Sequence, residues 1–249
     1  MGHPFDITQE IEVDATAEEA WDAIATGPGM DSWFMGRNTV EPRAGGTTTF
    51  SVGDFTQTST VTSWEPPTRF GFSSEQGAVG MYHRFDYRVT ERPEGGVSIR
   101  YEHTGMLGDD WEAEYEAMQE GDPAYLYKLH QYLTYFRGRY GTSVEVVGPE
   151  VADRERAMAA YRRELGLGDD LAVDTPVSAD LEGIGTIDGV VDFVSPSFIG
   201  VRTPDAILRL IWSFDGRSYI GHHLFADGVD RAEAERAWAE WLRRTFATA

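Results

Sequence analysis

The sequence predicts an α+β fold: a meandering antiparallel sheet covered by one long helix, followed by a smaller α+β domain. Three observations carry this expectation. The chain opens on an alternating strand that runs into a helix with a capping box at Thr16 and Glu19. Several strand-like stretches then follow between residues 37 and 104, broken by turn chemistry. Last comes a helical stripe of large apolar residues, Leu126, Leu129, Tyr132, Leu133, Phe136 and Tyr140, closed by Gly141. So aromatic a stripe needs a sheet to lie on, and the strands before it supply one.

In order, "FDITQEIEVD" (5–14) alternates as a strand, and Ala17, Ala20, Trp21 and Ile24 recur at helical spacing. Gly27-Pro28-Gly29 stops that helix, and Asp31 is expected to cap a very short second one carrying Trp33 and Phe34. The strand-like stretches lie near 37–42, 46–52, 57–64, 68–73, 81–90 and 96–104, with "RAGG", "EPP" and "ERPEGG" as breaks. In the last two, Met81, His83, Phe85, Tyr87 and Val89 share one face, as do Val97, Ile99, Tyr101 and His103. A hairpin pairing Val89 with Val97 sets Tyr87 against Ile99, Phe85 against Tyr101 and His83 against His103. Residues 109–120 read as a short acidic helix, and Asp122-Pro123 as the start of the long one.

This places a first domain at 1–141 and a smaller α+β domain at 142–249, with "TSVEVVGPEVAD" as the junction. In the second, a helix capped near Asp153 carries Ala157, Tyr161 and Leu165 and ends at Gly166. Strand-like pieces follow near 177–194, 197–202, 205–213 and 217–225, then a helix with Ala234, Trp238, Trp241 and Leu242 on one face. The order echoes the first domain in shortened form. A truncated duplicate is one expectation, and a cap appended to the first sheet is the other.

Composition narrows the partners. The 249 residues carry 42 acidic and 21 basic side chains, a formal net charge of −21, and Lys128 is the single lysine. Such a field repels nucleic acid and anionic lipid. With no cysteine there is no disulfide, thiol nucleophile or thiolate metal site. The opening "MGHPFDITQE" lacks a signal-peptide profile and no apolar run is long enough for a span, so a cytoplasmic location is expected.

The stretch "FDITQEIEVDATAEEAWDAIATGPGMDSWFMG", the meander and the long helix together resemble the START-like, helix-grip (SRPBCC) superfamily. More narrowly they resemble the group related to the activator of the Hsp90 ATPase, homologue 1, whose opening runs from a strand through "xTPEEVWxAI" to "xxxWF". The matching positions here are Ala15 to Phe34, with Ala17 where that group often has proline. The resemblance covers about 5–141 and implies a curved sheet gripping the long helix around a cavity. It implies a small hydrophobic or aromatic ligand there, as relatives hold lipids, sterols, hormones or polyketides. A chaperone-related or other protein-interaction module is the alternative, and a cyclase, dehydratase or hydrolase in the same cavity is the second.

The inward strand faces and the helix stripe give the candidate ligand-binding residues: Met30, Trp33, Phe50, Trp64, Phe70, Phe72, His83, Phe85, Tyr87, Tyr101, His103, Tyr127 and His130. Aromatic walls with a few polar groups suit a small-molecule pocket, and they equally suit an ordinary core. His83 and His103, on one covered face, stand as a structural pair, a polar cavity edge, or the start of a metal or acid–base site. No third ligand stands at recognisable spacing, though the fold can bring Asp109, Asp110 and His130 near. His222 and His223 point to opposite faces, and no serine sits in a nucleophile elbow. No phosphate-binding glycine loop is present. No catalytic residue, metal or cofactor is therefore assigned, and a homodimer is expected only on base rates.

Overall fold

The computed structural model describes residues 2–53, 55–74, 80–109 and 111–247. The chain divides into two compact units, Met1–Tyr140 and Gly141–Ala249.

The first unit opens with strand β1 (His3–Val13), helix α1 (Ala17–Ala25) and the four-residue helix α2 (Gly27–Met30). Thr16 caps α1 in a complete capping box with Glu19. The "GPGM" segment is itself the second helix: Thr26 caps it, Pro28 occupies its first turn, and Asp31 is its C-cap. The expected helix on Trp33 and Phe34 is a turn instead. Gly29 permits this, because a Cβ there would lie 1.9 Å from the Asp22 carbonyl oxygen of α1.

Six strands follow: β2 (Arg37–Val40), β3 (Thr47–Val52), β4 (Phe55–Glu65), β5 (Arg69–Ser74), β6 (Tyr82–Glu91) and β7 (Val97–Leu107). The sheet is antiparallel in the order β1-β7-β6-β5-β4-β3-β2, so the first strand pairs with the last. The β6–β7 register differs from the expected one by two residues: Val89 faces Ile99, Tyr87 faces Tyr101, Phe85 faces His103 and His83 faces Gly105. The strands run on through Glu91 and Val97, and the positive φ of Gly95 and Gly96 closes a shorter loop. A shift of two keeps each side chain on its face, so the apolar pattern fits both registers.

Helix α3 (Trp111–Tyr135) packs on β1 and β7, while α1 packs on β6 and α3. It is continuous, with Pro123 inside it, so Asp122-Pro123 does not begin a helix as expected. It ends before Gly138, whose φ is positive, and Tyr140 lies exposed beyond it. Lys128 is buried on α3, its Nζ 5.4 Å from the Tyr125 ring centre.

The second unit comprises β8 (Thr142–Glu150), α4 (Arg154–Glu164), β9 (Pro176–Leu181), β10 (Gly185–Val194), β11 (Phe198–Thr203), β12 (Ala206–Trp212), β13 (Arg217–Leu224) and α5 (Arg231–Thr245). Its strands form a sheet of their own, β8-β13-β12-β11-β10-β9. The expected junction is strand β8, with Val144 and Val146 inward; Gly148 and Pro149 at its far end gave it a linker's appearance. The expected strand at 177–194 is two, because Gly183 and Gly185 take positive φ at the turn between β9 and β10. Trp238, Trp241 and Leu242 of α5 pack with Tyr161 of α4 and Leu208, Leu210 and Ile220 of the sheet.

One charged pair is fully buried in this unit. The Arg209 guanidinium donates to both carboxylate oxygens of Asp192, at 2.9 and 3.0 Å, with each side chain 2% exposed. Gly200 leaves room for it, since a Cβ would lie 2.4 Å from Asp192 Oδ1. Replacing Asp192 with alanine strands the guanidinium, and a loss of about 3–5 kcal/mol is expected. It should appear as a lower urea midpoint in circular dichroism.

Candidate functional site

The polar centre of the first unit is a chain of four side chains on three elements. Gly105 of β7 lies opposite Phe5 of β1 on one side and His83 of β6 on the other. A Cβ at Gly105 would meet the Phe5 ring at 2.8 Å. With no side chain there, Phe5 and His83 lean toward the next inward residue of β7, His103. The Phe5 ring meets His103 edge-on at 4.9 Å and Phe85 stacks on it at 4.1 Å. His83 Nδ1 then lies 2.9 Å from His103 Nε2. On α3, Asp122 places Oδ2 2.7 Å from His103 Nδ1, and Glu114 places Oε1 3.5 Å from His83 Nε2.

The chain runs from inside to outside: His103 is 5% exposed, Asp122 15%, His83 26% and Glu114 42%. Burial, helped by the neighbouring His103 and opposed by Asp122, lowers the His83 pKa to about 4. Burial also raises the Tyr101 hydroxyl far above its usual range, with the Asp122 charge and a hydrogen bond to Asp122 adding to the shift. The Tyr87 hydroxyl is raised by burial and by the Asp122 charge.

Beside this chain the sheet interior is nearly filled. Phe70, Phe72, Phe85, Tyr87 and Tyr101 form a run of touching rings. A crevice of about 30 Å³ remains, lined by Met30, Phe34, Phe50, Phe72, Phe85 and Tyr87 with Asn38, Thr48, Thr49, Gln57 and Ser59. That is room for about one water, so the expected ligand-sized cavity is closed in this conformation. Asn38 is buried in its wall. Its Nδ2 donates to Asp31 Oδ1 and to the Met35 carbonyl, both at 3.1 Å, which fixes the amide orientation. Asn38 Oδ1 is then a buried acceptor with no partner among the described residues.

Of the thirteen predicted residues, Met30, Phe50, Phe72, Phe85 and Tyr87 line the crevice, while His83, His103 and Tyr101 belong to the polar chain. Trp33 is core, its indole N–H donating to the Ala23 carbonyl at 2.9 Å. Trp64 and Phe70 form a cluster with Trp21 of α1. Tyr127 and His130 stack on each other and line neither feature. Phe34, Asn38, Asp122 and Glu114 were not anticipated. A helix-face count over a continuous 111–135 could have found the two acids, since Glu114 and Asp122 stand eight residues apart.

The second unit holds a larger open groove of about 530 Å³ between α5 and strands β10 to β12. Ile184, Ile187, Leu208, Leu224 and Trp238 line its floor, and Asp188, Asp205, Asp230 and Glu233 are exposed on its rim. No sequence signal marked it. Among the described residues no group of three or more histidines and acids could hold a metal; Asp110 lies outside them. Among the described residues, too, no helix is long and apolar enough to cross a membrane.

An antiparallel sheet with first and last strands paired, two short helices after β1 and a long helix across the sheet define the helix-grip class. Residues 4–123 match the family model described as polyketide cyclase / dehydrase and lipid transport, and the first unit has the START-like helix-grip fold. Similar solved structures include the Aha1 dimer from Colwellia psychrerythraea, 17% identical, covering 54% of this chain and 99% of that one with a TM-score of 0.45. Protein BH1534 of Bacillus halodurans is 22% identical over 52% of this chain and 96% of its own, with a TM-score of 0.45. DynU16, from the dynemicin biosynthetic locus, is 17% identical over 97% of this chain and 96% of its own, with a TM-score of 0.46. No curated protein matches the chain.

The lowered His83 pKa fixes a pH dependence. The folded chain keeps His83 neutral to about pH 4, while the unfolded chain protonates it near 6.5. In that window the unfolded state binds more protons, so the His83 contribution to stability is lost as pH falls from about 6.5 toward 4. Urea midpoints measured across this range should fall more steeply for the wild-type chain than for His83→Phe. Equal slopes would place His83 outside the buried network.

Proposed function

We propose that the first unit is a binding module for a small aromatic or apolar molecule carrying a hydroxyl. The bound molecule lies in the aromatic crevice between the inner sheet face and the helices. The single observation that carries this reading is Asn38 Oδ1, an acceptor without a partner in an otherwise aromatic wall. Leaving such a group unpaired costs about 1–3 kcal/mol, and a ligand hydroxyl removes that cost. Entry requires the crevice to widen. Phe34, Phe50 and Phe55 touch in sequence at its rim, and Phe55 is exposed, so rotation of side chains opens it without breaking the sheet ladder.

The second unit is read here as a shortened repeat of the first. Each begins with a strand that pairs with its last strand, and each ends in a helix. The second lacks one strand and the second short helix of the first.

Thermal-shift and native mass-spectrometric titrations test the binding reading. 2-Naphthol is expected to bind several-fold more tightly than naphthalene, the effect of about 1 kcal/mol from one hydrogen bond. Phe72→Trp should fill the crevice and abolish binding of both without lowering the melting temperature. Retained binding in that variant, or no saturable binding by the wild-type chain, sinks the proposal.

A further inference from the structure

The direction of the hydrogen bonds along the four-residue chain has a chemical consequence at its outer end. The Asp122 carboxylate can only accept, so in its 2.7 Å contact His103 Nδ1 carries the hydrogen. In neutral His103 the other nitrogen, Nε2, is then a bare acceptor, and the hydrogen in its 2.9 Å contact belongs to His83 Nδ1. Neutral His83 therefore turns an unprotonated Nε2 outward. The group it meets is the carboxylate of Glu114, at 3.5 Å. Two acceptors face one another at the surface end of a network whose inner bonds are all satisfied.

We propose that His83 Nε2 and Glu114 form a binding site for a protonated amine attached to an aromatic or apolar group. An ammonium has several N–H donors and can reach about 2.9 Å from both acceptors at once. A hydroxyl satisfies one of them, and a carboxylate is repelled by Glu114 and Asp122 alike. The groups facing His83 are His103 on β7 and Glu114 on α3, with Asp122 behind His103; no arginine or lysine forms an ion pair with any of them among the described residues. Phe5 lies 5.5 Å from the His83 ring, and Trp111 and Tyr115 of α3 pack in the same cluster as Phe5. These rings give the apolar part of the ligand a landing surface and favour a nearby cation. The lowered pKa of His83 supports the assignment by keeping its outer nitrogen free of a proton at neutral pH.

The test uses three probes of similar size, 2-phenylethylamine, 2-phenylethanol and phenylacetate, titrated into the full chain at pH 7.5. The reporters are the ring nitrogen resonances of His83. The free chain should show hydrogen on Nδ1 and none on Nε2. The amine should bind at least about tenfold more tightly than the alcohol, with phenylacetate showing no saturation. Its affinity should hold from pH 7.5 to about pH 5 and fall toward pH 4, as protons compete for the same nitrogen. Glu114→Gln, at a half-buried position of α3, should erase the preference for the amine while leaving the alcohol unchanged. Phe72→Trp should leave amine binding intact, which separates this site from the crevice. A hydrogen on Nε2 of free His83, equal affinity for amine and alcohol, or wild-type amine binding by Glu114→Gln or His83→Phe overturns the proposal. So does loss of amine binding in Phe72→Trp.

Discussion

The ladder between β1 and β7 is the constraint on which the first unit rests. It pairs the first strand with the last of the meander along its whole length, from His3 against Leu107 to Val13 against Val97. Closing so long a loop is entropically costly, and a continuous ladder with inward Phe5, Ile7, Ile99 and Leu107 offsets it. Once made, the ladder fixes which residues meet on the inner face. Phe5 crosses Gly105 to reach His103, and α3 lies over the same two strands with Asp122 aimed at the histidine. The polar chain is thus a product of strand pairing as much as of its own chemistry.

The two units handle buried charge in opposite ways. Arg209 and Asp192 neutralise each other inside the second unit, with hydrogen bonds confined to that pair and nearby backbone. A closed pair of this kind has no route to solvent and nothing to offer a ligand. In the first unit Asp122 accepts from His103, and the network is handed outward through His83 to Glu114. The polar groups there remain connected to the surface, and chemistry on one end is felt at the other.

Periodicity carried most of the fold in the sequence, and its failures have local causes. Strand faces in β6 and β7 were legible because side chains alternate, but a register shift of two leaves that alternation untouched. Only the loop geometry at Gly95 and Gly96, and the absent side chain at Gly105, select the true pairing. Asp122-Pro123 carries the chemistry of a helix start, and tertiary packing on β1 and β7 carried the helix straight through it. That misreading hid the partner of His103, since a capping aspartate has no reason to point into a sheet. His83 and His103 were legible as a pair; Glu114 and Asp122 were not, because acids are common in this chain. The Asn38 acceptor depends on hydrogen bonds to Asp31 and Met35 formed across a turn, which no periodic pattern records.

Lys128 lends the first unit an unusual chemical silence. The one lysine side chain of the whole sequence lies inside, against Tyr125 on α3. Acylation, glycation and imine formation at a side-chain amine all need that nitrogen to meet the reagent in water. In this protein they can do so only while α3 stands away from its sheet, so the rate of such a modification is a clock for helix opening and not a measure of surface reactivity.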